Sequence, residues 1–60
     1  MFVQLDTRRD GAFTVSLEWN RENGITRIVV AEGQTLNELA FVVPSAKAGD
    51  AFRHPYPYLP

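Results

Sequence analysis

The sequence predicts a small α+β fold: an antiparallel β-meander of three strands, with residues 1–12 as a candidate fourth, one short C-terminal helix packed on one face, and an extended Pro/Tyr tail over residues 55–60. Three observations carry that expectation. The stretch FTVSLEW alternates apolar and polar residues without a break. The stretch ITRIVVA, rich in β-branched residues, follows an Asn-Gly step. A proline then separates the last apolar strand from a run with helical spacing. Sixty residues make a single small domain, and a chain of that length hides only about 60% of the surface its unfolded form exposes, so stability is marginal without unusually good local structure or a partner.

In chain order, the N-terminal MFVQLDTRRDG sets Val3 and Leu5 against Phe2 and Gln4, and RRDG supplies the chemistry of a turn. From Phe13 to Trp19, the residues Phe13, Val15, Leu17 and Trp19 share one face, and Thr14, Ser16 and Glu18 share the other. Between this strand and the next, NRENG offers either a two-residue Asn-Gly hairpin or a four-residue loop from Arg21 to Gly24. Register favours the longer loop. It pairs Asn20 with Ile25, Glu18 with Arg27, Leu17 with Ile28 and Val15 with Val30, joining opposite charges on one face and aliphatics on the other.

A second turn, EGQTLN, leads into ELAFVV, where pairing Val30 with Leu39 and Ile28 with Phe41 carries the apolar face onto the next strand. Pro44 stops the ladder because it has no N–H. SAKAGDAFRH then reads as a short helix with Ser45 at its N-cap, Ala48, Ala51 and Phe52 on its inner side, and Pro55 at its end. The expected core is Phe13, Val15, Leu17, Trp19, Ile28, Val30, Leu39, Phe41, Val43 and Phe52. The PYPY segment disfavours both helix and sheet, and is expected to run extended with Tyr56 and Tyr58 projecting from it.

One helix covers one face of a sheet, so the other face should be polar in an isolated subunit. Here Val29, Ala31, Ala40 and Val42 share it with Thr14, Ser16, Glu18, Arg27 and Glu38. The residues Val29, Ala40 and Val42, together with Tyr56 and Tyr58 of the tail, are therefore the candidate partner-binding set.

Composition removes several function classes. There is no Cys, which excludes disulfides and thiolate chemistry, and the lone His54 cannot build a histidine metal site. His54 is expected near the last carbonyls of the helix. Each glycine stands alone, without the spacing of a phosphate loop, and no acid/base pair or nucleophile is set up, so no residue is assigned a catalytic, cofactor-binding or metal-ligating role and the chain is expected not to be an enzyme. The longest apolar run, LAFVV, is five residues, too short for a membrane span or a signal peptide, so a cytoplasmic location is expected and Met1 reads as a start. Six basic residues against seven acidic ones, interspersed, lack the excess of a phosphate-driven nucleic-acid binder.

The hairpin LEWNRENGITRIVV and the close DAFRHPYPY together resemble small uncharacterised proteins encoded by actinobacteria and their phages. TLNEL departs from the polar, Gly-containing turn of that pattern. The resemblance implies a lineage and lends no site residue; in its phage-borne form it implies a modulator of a host protein.

The expected function is binding without chemistry: a protein-interaction or structural module with no cofactor, whose partner is another protein or a second copy in a homodimer. The alternative is a small nucleic-acid-binding protein using Arg8, Arg9, Arg21 and Arg27 as a basic rim.

Overall fold

The computed structural model describes residues 1–35 and 37–59; Leu36 in the second turn and Pro60 of the tail lie outside the described residues. Among the described residues, β1 (Phe2–Asp10), β2 (Phe13–Asn20), β3 (Thr26–Glu32) and β4 (Glu38–Val43) pair in sequence order as an antiparallel meander. The N-terminal candidate is thus a full strand.

The register between β2 and β3 is the one set by the opposite charges and the aliphatics: Glu18 lies opposite Arg27, Leu17 opposite Ile28 and Val15 opposite Val30. The loop between them has the longer form. Asn20 donates its N–H to the Ile25 carbonyl at 2.8 Å, and Gly24, at φ 74°, takes the left-handed conformation that closes the turn. Two asparagine side chains hold it: Asn20 Oδ1 accepts from the Glu22 N–H and Asn23 Oδ1 from the Ile25 N–H, both at 2.9 Å. Val30 lies opposite Leu39 and Ile28 opposite Phe41, which extends the same apolar face to β4.

After Pro44 a 3₁₀ turn (Ser45–Lys47) leads into α1 (Ala48–Arg53). Ser45 does not cap α1. It lies inside the 3₁₀ turn with its hydroxyl 3.3 Å from that of Thr26, and neither helical segment has a side-chain cap at its N-terminus. Ala51 is fully buried, and Ala48 and Phe52 pack beside it on Val15, Ile28, Val30, Phe41 and Val43. His54 ends α1 through its backbone N–H, bonded to the Asp50 carbonyl at 2.8 Å, while its side chain is exposed.

Two expected core positions are corrected. Trp19 and Leu39 lie on the helix-covered face but remain 38% and 44% exposed. The cause is length. A helix of six residues rises about 9 Å, whereas the eight residues of β2 span about 26 Å, so α1 covers the middle of the face and leaves its margins bare.

The tail is also corrected in form. Tyr56–Tyr58 is a 3₁₀ turn and not an extended segment, with the Tyr58 N–H bonded to the Pro55 carbonyl at 3.0 Å and Pro55 at φ −71°, ψ −26°. Proline's fixed φ suits a helical first turn as well as an extended chain, and the N–H it lacks would have no partner there. Pro55 is fully buried, and Tyr58 and Leu59 pack against the core, so the tail supplies apolar cover that α1 is too short to provide.

Candidate functional site

The five residues expected to bind a partner separate into two groups. Val29 and Ala40 are cross-strand partners and Val42 follows on the same face, so the sheet does bring those three together. Val29, on a central strand with neighbours on both flanks, is only 8% exposed; Ala40 and Val42 on β4 carry the accessible part, Val42 at 67%. Tyr56 is half exposed, whereas Tyr58 is turned to the fold. Its phenol donates to Asp50 Oδ2 at 2.7 Å, and that hydrogen bond, then lost solvation, then the Asp50 charge hold its pKa above 10.0.

Backbone direction adds what side chains alone do not reveal. In an antiparallel ladder, pairs that exchange hydrogen bonds recur at every second residue. The Glu32 N–H donates to the Asn37 carbonyl at 2.9 Å, so the bonded pairs that follow are Val30 with Leu39, Ile28 with Phe41 and Thr26 with Val43. The bond from Asn20 to Ile25 fixes the same phase from the other side of β3. Consequently the N–H and C=O groups of Glu38, Ala40 and Val42 point outward from the edge of the sheet.

A shallow concavity flanks this edge on each face. On the helix side, about 390 Å³ lies between β4 and the tail, walled by Leu39, Tyr56 and Leu59 with Glu38 at its rim. On the opposite face, about 250 Å³ is lined by Phe2, Ile25, Arg27, Ala40 and Val42. There the Arg27 guanidinium stacks 3.7 Å from the centre of the Phe2 ring and donates to Glu18 Oε1 at 2.7 Å. Glu38 is the one charged residue within β4.

The four arginines of the alternative reading do not gather into one rim. Arg8 lies on the helix face, where Nε donates to the Phe52 carbonyl at 3.0 Å and Nη2 to the Arg53 carbonyl at 2.9 Å, closing the C-terminus of α1 and stacking over the Phe52 ring. Arg9 lies opposite Thr14 on the other face, Arg21 is in the first long loop, and Arg27 is held by Phe2 and Glu18. Sequence reasoning missed the role of Arg8. The signal was present in its place opposite Val15, on the face that meets the helix.

Among the described residues no group of three or more His, Cys, Asp or Glu side chains is placed to hold a metal ion, and no helix is long and apolar enough to cross a membrane. Comparison with known proteins finds no matching family model, no matching curated sequence and no matching solved structure.

Proposed function

We propose that this chain is a non-enzymatic protein-interaction module that binds by strand addition at β4. The observation that carries this reading is the state of that edge: Leu39, Ala40 and Val42 are exposed, and the backbone groups of Glu38, Ala40 and Val42 point outward with no partner among the described residues. An extended segment laid along such an edge gains main-chain hydrogen bonds, and its alternate side chains enter the concavities on the two faces. Nothing in that mode of binding needs a nucleophile, an acid/base pair or a cofactor.

Nucleic-acid binding is the weaker reading on the same geometry. Two of its four arginines are engaged within the fold, one as a helix cap and one in an ion pair. The test is a titration of the ¹⁵N-labelled protein with a synthetic peptide of the sequence of residues 37–44. The expected result is a set of shifts centred on Glu38, Ala40 and Val42, with negligible retention on heparin at low salt. Shifts confined to β1 or to the loops, or firm retention on heparin, would overturn the reading.

A further inference from the structure

We infer that the strand added at β4 is β4 of a second copy, paired antiparallel about Ala40, so that two chains form one eight-stranded sheet. The inference rests on strand addition as the mode of binding and goes on to name the occupant. It follows from the spacing of the outward groups.

Two edges meet antiparallel, with the faces of both sheets preserved, when a twofold axis runs perpendicular to the sheet. Residues of like parity are then opposed. Of the registers this allows, the one centred on Ala40 sets Ala40 against Ala40 and Glu38 against Val42 in both directions, so all three outward residues of each strand find a partner. A shift by one pair towards the C-terminus brings Pro44, which has no N–H to give, opposite Glu38, and a shift the other way sets Val42 opposite a residue outside β4.

Side chains agree with this register. The smallest residue of β4 stands at the axis, where it meets its own copy in a hydrogen-bonded pair and adds no bulk. On the helix face, Leu39 of each copy lies against Phe41 of the other and continues the apolar row. On the opposite face, the second copy's Glu38 falls in one row with Val42 and Arg27, since Val42 is already opposite Arg27 within the chain. Two strand spacings, about 10 Å between Cα atoms, are within the combined reach of a Glu and an Arg side chain. No like charges are opposed. A partner of different sequence would not need this palindrome, and a second copy uses all of it.

The contact is small. A six-residue edge covers less than the roughly 800 Å² per partner of a standard interface, out of a total surface of 4138 Å², so the dimer is a weak one. It also closes on itself, because the remaining edges of the dimer are both β1.

Sedimentation equilibrium from about 10 µM to about 1 mM tests the pairing, with two substitutions at one exposed position to read its register. Val42→Lys places a positive charge opposite the second copy's Glu38 and is expected to tighten the dimer roughly three- to tenfold; Val42→Glu opposes two carboxylates at each end and is expected to loosen it by a similar factor. Within a single chain the signs are reversed, because residue 42 faces Arg27, so a parallel measurement of monomer unfolding separates the two effects. Ala40→Pro, which removes an outward N–H that the fold does not use, is expected to abolish the dimer while leaving circular dichroism unchanged. A wild-type chain that stays monomeric to about 1 mM, or charge variants that move association in the same direction, would overturn the inference. If such a monomer still takes the peptide of residues 37–44 at β4, strand addition stands and only the second copy is lost; if it takes no peptide, both fall.

Discussion

β1 and β4 border the same sheet, and they treat their unpaired backbones in opposite ways. β1 is nine residues long, carries Asp6, Arg8, Arg9 and Asp10, and breaks its register with a bulge at Leu5 between Gln4 and Asp6. Past the bulge, the outward N–H of Thr7 is taken up by Asp6 Oδ1 at 2.8 Å. β4 is six residues long, regular, apolar except for Glu38, and its outward groups meet no partner among the described residues. Charge, bulge and local capping are the usual means by which an edge is protected from pairing. They are concentrated on one side of this molecule, which makes the open side a feature to be explained and not a general property of small sheets.

The strands also differ in what anchors them, and that sets the largest expected effect. β4 is tied to the core by Phe41 and Val43, whereas the exposed Leu5 of β1 is not. Phe41→Ala is expected to cost roughly 3–5 kcal/mol, close to the whole stability of a domain this small, against about 0.5 kcal/mol or less for Leu5→Ala. Urea unfolding of the two variants measures the contrast; equal losses would mean that β1 is as deeply anchored as β4.

Next in size is the link between β1 and α1. Arg8→Ala removes two hydrogen bonds to the last carbonyls of the helix and a stack on Phe52, an expected loss of about 1–2 kcal/mol. Arg8→Lys is expected to recover only part of it, since an ammonium cannot reproduce the planar fork. A full rescue would show that charge alone matters at this position.

Opening the protected edge is a smaller step. Asp6→Ala strips the cover from the Thr7 amide at an expected cost of about 0.5–1 kcal/mol and makes β1 more prone to association. Amide exchange at Thr7 should accelerate. An unchanged rate would place the protection elsewhere.

The smallest effect concerns the tail that walls the concavity beside β4. Because the Asp50 hydrogen bond holds the Tyr58 phenol above 10.0, the group adds stability below its unfolded pKa and loses it as pH rises through the folded one. The wild type should therefore lose stability above about pH 10 more steeply than Tyr58→Phe. Parallel alkaline melting curves for the two would contradict the contact.

Much of the sheet was legible because its pairings are over-determined. Glu18 with Arg27 and the row Leu17, Ile28 and Phe41 admit few other registers, and the Asn20 to Gly24 loop follows from them. The patch on β4 was legible in the alternation of Ala40 and Val42 with core residues. The exposure of Trp19 was not, since the alternation names a face but says nothing about how far a six-residue helix extends over it. Nor was the helical turn at Tyr56–Tyr58, because proline's φ suits both outcomes, and the burial of Pro55, the packing of Tyr58 and Leu59 on the core and the bond from Tyr58 to Asp50 exist only in the folded chain. The openness of β4 and the closure of β1 lie in backbone direction, which depends on ladder phase, and no single residue type reports it.

The difference between the two edges is tested most directly by backbone amide exchange followed at low and high protein concentration. The account predicts that in dilute solution the amides of Ala40 and Val42 exchange fast while their neighbour Phe41, bonded to Ile28, is protected, and that raising the concentration slows Ala40 and Val42 but leaves Arg9 on β1 unchanged. Protection of Ala40 and Val42 already present in dilute solution, or concentration-dependent slowing at Arg9 instead, would contradict it.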